Sequence, residues 1–207
     1  MRFIDFLLTL FRSFKIKPSI SISIPLGSGY VKDKPMERKE DQKLSDHFSL
    51  FEMTVTANGL LQEQNRILSD EQMQKLEKLS RHAEVIRSLC KAPVHIHSGY
   101  RCGTLNGSTV GSSTTSQHPK CEAIDFDVAG QEVEDTFTTL LDAARKGELR
   151  FGQLILECAY RPYGVVKWIH CSVIGSLPAE KVGQVLKMNA SADGKPVYTL
   201  IERIKQC

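Results

Sequence analysis

The sequence lacks most of the features that assign a chain at a glance. No apolar run approaches eighteen residues, so no segment reads as a membrane-spanning helix. No internal repeat is visible. The six cysteines (Cys90, Cys102, Cys121, Cys158, Cys171 and Cys207) contain no CxxC pair, which argues against a cysteine-rich zinc knuckle. Six thiols in 207 residues are also too sparse for a disulfide scaffold. Most read as reduced and half-buried; a Cys102–Cys121 bridge is the one pairing the pattern suggests. A basic stripe is missing too. Residues 1–45 hold nine basic and five acidic side chains, which leaves the remaining 162 residues at −1 although the whole chain is +3. The body is therefore not a nucleic-acid platform, and any attraction to anionic surfaces falls to the N-terminal segment.

What is present is enough for a packed domain. Hydrophobic residues make up 41% and charged residues 25%, which excludes wholesale disorder. The length suits one domain with an extension, or at most two small domains. In residues 1–17, Phe3, Phe6, Leu7, Leu10, Phe11 and Phe14 fall on one helical face flanked by Arg2, Arg12, Lys15 and Lys17. Such a helix suits peripheral contact with a membrane, or packing on the domain or a partner. Asp5 and the missing small-residue cleavage site argue against a signal peptide. Residues 18–45 read as an extended arm and charged linker, and the domain is expected over 46–207.

Within that domain Ser69-Asp70-Glu71-Gln72 is a capping box that opens a helix. Met73, Leu76, Leu79, Ala83 and Ile86 give it an apolar stripe, and Pro93 ends it. Strands are expected at 94–98, 121–128, 152–158, 165–173 and 197–201, and helices at 131–146 and from Pro178 through Val182, Val185 and Leu186. Residues 102–117 read as a long polar loop. The fold class is α+β: a small antiparallel sheet with flanking helices.

Three polar residues then stand out. His118 closes the polar loop. Asp125 lies on the non-core face of the 121–128 strand with Ala123 and Asp127. His170 shares a strand face with Val166, Trp168 and Ser172. Two histidines and a carboxylate can hold zinc with a fourth position open for water, which is what hydrolysis needs. The same donors accept other divalent ions. A carboxylate must then take the water proton. Glu157 is the first candidate, because its strand pairs through a turn with that of His170; Asp127 is the second. By spacing alone, each residue also fits a plain structural role. His95 and His97 alternate on one strand face and fit a surface role, an indirect one beside the site, or a metal pair.

The context of these residues is more specific. The chain carries His47-Phe48-Ser49-Leu50-Phe51-Glu52, Ser98-Gly99-Tyr100-Arg101, Leu105-Asn106, Ser116-Gln117-His118, Ala123-x-Asp125 and Trp168-x-His170-x-Ser172, in that order. The set, over residues 46–173, resembles the zinc D-Ala-D-Ala carboxypeptidase family of metallopeptidases, and within it the small peptidase domain of phage endolysins and bacterial cell-wall enzymes. The resemblance implies the hedgehog/DD-peptidase fold, a Zn2+ cofactor held by His118, Asp125 and His170, and substrate contacts from Arg101 and Ser116. A guanidinium suits that last role because it grips a carboxylate with two parallel hydrogen bonds. The chain departs from the pattern in three places. Cys121 stands where the family usually has Gly, and would be strained if that position needs positive φ. Lys167 stands where several relatives carry an acid. Trp168 stands where others have a second histidine.

The function implied is zinc-dependent cleavage of peptide bonds in bacterial peptidoglycan, in the stem peptide or the cross-link. A phage-encoded lysis or entry enzyme fits, acting on the wall from the host cytoplasm or from a virion. The competing expectation is a non-catalytic, metal-stabilised domain of the same fold that binds wall peptide or a protein partner; Cys121 and Lys167 favour it. The intact ligand set with Arg101 and Ser116 favours the enzyme.

Overall fold

The computed structural model describes residues 41–161, 164–190 and 195–206. The helix expected at 1–17 and the arm from 18 to 40 lie outside the described residues. Residues 41–45, read as linker, pack on the domain. Leu44 is buried, Asp41 accepts a hydrogen bond from the Phe51 amide, and the Gln42 carbonyl accepts one from Leu50.

Among the described residues the helices are α1 (Leu50–Met53), α2 (Gln62–Asn65), α3 (Asp70–Cys90), α4 (Gly103–Ser108) and α5 (Val133–Arg145). The strands are β1 (Val94–Ser98), β2 (Ala123–Val128), β3 (Gln153–Arg161), β4 (Gly164–Ser172), β5 (Gln184–Ala190) and β6 (Pro196–Arg203). They form one sheet in the order β1-β2-β4-β3-β5-β6. Every neighbouring pair is antiparallel except β3 and β5, which run parallel. The expected α+β class holds, with one parallel pairing in a sheet expected to be antiparallel.

The capping box forms as its residue types dictate. Ser69 Oγ accepts from the Gln72 amide, while Gln72 Oε1 accepts from the Ser69 amide. The helix stops at Lys91, which adopts a left-handed conformation (φ 55°) two residues before Pro93. Leu76, Leu79, Ala83 and Ile86 are fully buried and pack α3 onto one face of the sheet, with α5 beside it. Facing them are Ile124 and Phe126 of β2, Leu154 of β3, Ile169 and Cys171 of β4 and Val185 of β5, each inaccessible. Burying a Leu, Ile or Phe side chain is worth about 1.5–3 kcal/mol, so this face holds the domain together. The alternation of β2 and β4 sends Asp125, Asp127, Trp168 and His170 to the other face. There Ile155, Leu186 and Met188 form a smaller apolar cluster with Trp168.

Three expectations need correction. The helix expected after Pro178 is a single 3-10 turn (Ala179–Lys181), and Val185 and Leu186 belong to β5. Gly183 breaks the helical run: it sits at φ 75°, and a Cβ there would lie 1.9 Å from the Ile204 carbonyl oxygen. The loop 102–117 contains α4. Cys102 and Cys121 are both free, as are Cys90, Cys158 and Cys171.

His82, without an evident partner in the sequence, lies on α3 with Nε2 3.4 Å from the Cys171 thiol of β4. Burial pushes its pKa down from 6.5 to about 4. A group whose folded pKa is depressed contributes full stability above its unfolded value, and that stability is lost as pH falls toward the folded one. The chain should therefore lose about 2 kcal/mol more than a His82→Met variant between neutral pH and pH ~4.5. Urea unfolding at the two pH values checks this; equal losses would contradict it.

A buried His–Asp–His cluster

Three elements deliver the candidate ligands. His118 comes from the 3-10 turn His118–Lys120 that leads into β2, Asp125 from the middle of β2, and His170 from β4. Asp125 and His170 are directly opposed in the antiparallel pairing, the arrangement that brings facing side chains closest. All three are buried, with 3%, 7% and 8% of their surface exposed. Asp125 Oδ1 lies 2.9 Å from Nδ1 of His170 and 3.3 Å from Nε2 of His118. One potential ligand atom from each residue lies within 4.8 Å of the other two.

The hydrogen bonds around the cluster argue for a cation in it. His118 Nδ1 donates to the Gly99 carbonyl at 2.7 Å, which leaves the Nε2 lone pair facing the Asp125 carboxylate. Two acceptors at 3.3 Å repel unless a positive charge joins them. Burial moreover lowers the pKa of His118, which opposes a proton there. A divalent ion resolves the conflict. On a tetrahedral zinc with bonds of about 2.0–2.2 Å, neighbouring ligand atoms stand about 3.3 Å apart, close to the separations found. His170 is oriented in the same sense. Its Nε2 faces Oε1 of buried Gln117 at 3.4 Å, which leaves Nδ1 for the ion. The residues present therefore fit a metal.

Electrostatics support the same centre. Burial opposes ionisation of Asp125, but His118 and His170 outweigh it and hold the carboxyl well below its usual range. Burial also opposes charge on His170, yet the bond to Asp125 and the nearby charge of Glu157 raise its pKa. Glu157 of β3 stands opposite Trp168. Burial is the main cause that pushes its pKa to about 7; Asp125 adds to the rise, while His170, Arg101 and a hydrogen bond from the Trp168 side chain oppose it. A carboxyl poised near neutrality beside the His–Asp–His cluster is suited to exchanging protons.

The other expected residues fall around this centre. Arg101 does not lie with its fork free. Its Nη2 donates to Asp125 Oδ2 at 2.5 Å and its Nε to Ser98 Oγ at 2.7 Å, so it braces the carboxylate from behind. Ser116 is half-buried, and its Oγ accepts a long (3.4 Å) bond from the His118 amide. Asp127 faces His95 and His97. Lys167 points to the opposite face of β4 and pairs with Glu134 of α5, so that position cannot supply an acid to the cluster. Cys121 does take the left-handed conformation (φ 57°, ψ 40°), buried among core side chains. Burial pushes its thiol pKa to about 12, so it is a neutral packing group.

Three contributors were given no role by the sequence, although Gly99 and Gln117 lie inside motifs that carry the resemblance. Gly99 crosses the Met53 carbonyl so closely that a Cβ would lie 2.3 Å from its oxygen. Asn65, inaccessible to solvent, donates to the Thr54 and Tyr100 carbonyls and accepts from the Cys102 amide. Gln117 sits inside the Ser116–His118 run, but only the fold shows it against His170.

An α+β domain that buries two histidines and an aspartate beside a carboxyl of raised pKa has the arrangement of a metal-dependent hydrolase. The profile described as Peptidase M15 matches residues 46–172. The chain belongs to that family, the zinc D-Ala-D-Ala carboxypeptidase family of metallopeptidases. Peptidases of this family depend on zinc. No curated protein matches the chain.

Two outcomes follow from this geometry. Asp125→Asn keeps the shape of the side chain but removes the charge that offsets two metal-facing imidazoles and Arg101. It should abolish tight zinc binding at the cluster, read by calorimetry on a metal-free chain whose circular dichroism stays native; unchanged affinity would contradict the ligand assignment. Gly99→Ala should cost about 2 kcal/mol and weaken zinc binding, because the displaced strand end carries the carbonyl that orients His118. Unchanged stability would contradict the close approach at Met53.

Proposed function

We propose that this chain is a zinc peptidase that cleaves a peptide bond of bacterial peptidoglycan, in the stem peptide or the cross-link, on a hedgehog/DD-peptidase-type fold. The observation that carries the reading is the conjunction of the buried His118–Asp125–His170 cluster with Glu157, a carboxyl held near neutral pKa. Family membership supplies the reaction class and points to the wall as substrate.

His118, Asp125 and His170 would hold the ion. Bound there, zinc supplies a Lewis acid for the scissile carbonyl and acidifies a water. Glu157 accepts the proton of the attacking water on its carboxylate and returns it to the leaving amine. Its burial matters, because an ordinary surface glutamate with a pKa of about 4.3 is a poor proton acceptor at neutral pH. Arg101 anchors Asp125 and presents its remaining N–H groups to the substrate with Ser116. Trp168, on the same face, packs with Ile155, Leu186 and Met188 into an apolar floor on the far side of the cluster from β1. Residues 1–17, whose sequence places basic side chains around an apolar stripe, would bring the enzyme to an anionic surface, and a role in phage lysis or entry is the setting in which such an activity fits.

The test is digestion of purified peptidoglycan, read as new amino groups and as fragment masses, with and without chelator. Release that stops with chelator, and falls by about 10²-fold or more in Glu157→Gln while zinc content is retained, supports the enzyme. Fragment masses then distinguish carboxypeptidase from endopeptidase cleavage. Zinc bound without any release would establish the non-catalytic domain instead. Because the base acts ionised, kcat/KM should rise with pH through an ionisation at or below about 7. A profile flat from pH ~5 to ~8 would remove Glu157 from that role.

A further inference from the structure

We propose that Tyr198 is a substrate-positioning residue of the His–Asp–His site: its phenol donates a hydrogen bond to a main-chain carbonyl of the bound wall peptide, at the outer end of the apolar floor. The inference rests on the peptidase reading above. It adds a contact on β6, beyond residues 46–172, the span that the family profile matches.

The register puts Tyr198 there. It stands opposite Met188 of β5; Met188 is in register with Glu157 of β3, and Glu157 stands opposite Trp168 of β4. Paired residues of neighbouring strands share a sheet face, so this row crosses the face that carries Asp125 and His170. The adjacent row runs His170, Ile155, Leu186, Leu200. Of the six residues that β3, β5 and β6 give to the two rows, only Glu157 is charged. Ile155, Leu186 and Met188 are buried, whereas Tyr198 and Leu200 are 51% and 52% exposed and form the outer rim. A bulge brings Tyr198 to this face. Continued from the Val185–Glu202 pair, a regular ladder would set Thr199 opposite Met188; the register shifts after Val185, Ile201 is the extra residue, and Tyr198 takes the place. Bulges re-aim side chains in this way, often beside active sites.

The phenol suits the role. No described residue accepts a hydrogen bond from its hydroxyl. Burial pushes its pKa up to about 12, and the charges of Glu157 and Asp125 add to the rise. The hydroxyl therefore stays a donor at neutral pH and looks onto the same space as the cluster. β6 stands two strand spacings from β3, about 10 Å between backbones, which an extended peptide covers in about three residues. A peptide lying across this face with its scissile bond at the cluster meets Tyr198 a few residues away. The contact holds the substrate without entering the chemistry, and the floor between accepts uncharged side chains.

The test uses the full zinc-loaded chain and soluble stem peptides prepared from peptidoglycan. Tyr198→Phe removes the hydroxyl and keeps the ring, so zinc content and melting temperature should not change. In steady-state hydrolysis KM should rise about 2- to 10-fold, the loss expected for one hydrogen bond, with kcat unchanged. Binding measured by calorimetry in Glu157→Gln, which suppresses turnover, should weaken by the same factor when Tyr198→Phe is added. Equal binding with and without the hydroxyl overturns the proposal. So does a fall in kcat at unchanged KM, which would place the phenol in the transition state. Failure of the peptidase reading looks different: the chain with Tyr198 intact releases no new amino groups. If that chain binds peptide without cleaving it, the binding comparison still decides for or against Tyr198; if it neither binds nor cleaves, both readings fall.

Discussion

The site turns on a single buried carboxylate. Asp125 lies in the middle of β2, 7% exposed, and its two oxygens are both committed: Oδ1 to His118 and His170, Oδ2 to Arg101. An isolated ionised carboxylate in such a place is very costly, and only opposite charge and full hydrogen bonding offset the loss of water. The Arg101 guanidinium and a His170 whose pKa is raised beside Asp125 offset part of that cost, while His118 presents a lone pair to the same carboxylate. A metal ion held by the three residues would supply further positive charge, at a site the fold shapes without needing the ion to gather its ligands.

Apart from the Arg101 guanidinium on Asp125, the groups that orient the ligands are backbone or amide. Gly99 offers its carbonyl to His118 because the strand end can press against Met53. Asn65 ties the Tyr100–Cys102 segment to Thr54, which sets Arg101 behind Asp125. The antiparallel register sets His170 across from Asp125. These are rigid devices, consistent with a preformed site. The same register has a second consequence, since the bulge in β1 that pairs Ser98 with Asp125 also turns His97 toward Asp127.

Much of this was legible in the sequence, for identifiable reasons. The period-2 alternation of 121–128 separated Asp125 from the core, and the capping box at Ser69 located α3 to the residue. The His118, Asp125 and His170 set, weak by spacing alone, emerged from the ordered motifs that resemble the family, each of which is a short local run. What escaped is what depends on distant pairing. Val185 and Leu186 are compatible with a helix stripe and with a strand until Gly183 and the parallel partner β3 decide. Arg101 reads as a substrate anchor in the chain, and only the fold shows two of its donors spent on Asp125 and Ser98. In the chain Lys167 reads as the loss of an acid from the site, yet its strand position faces α5. Asn65 carries no signal, and Gly99 is marked only as a member of the Ser98–Arg101 motif, because their roles exist only once the segments around residues 54 and 100 meet.

The most direct test of the account is X-ray absorption spectroscopy on the chain loaded with less than one equivalent of zinc. A first shell of nitrogen and oxygen only, at about 2.0–2.2 Å and with the multiple-scattering signature of two imidazoles, is the predicted result. A zinc–sulfur shell at about 2.3 Å would show that a cysteine binds the ion, and would contradict the His118, Asp125 and His170 centre.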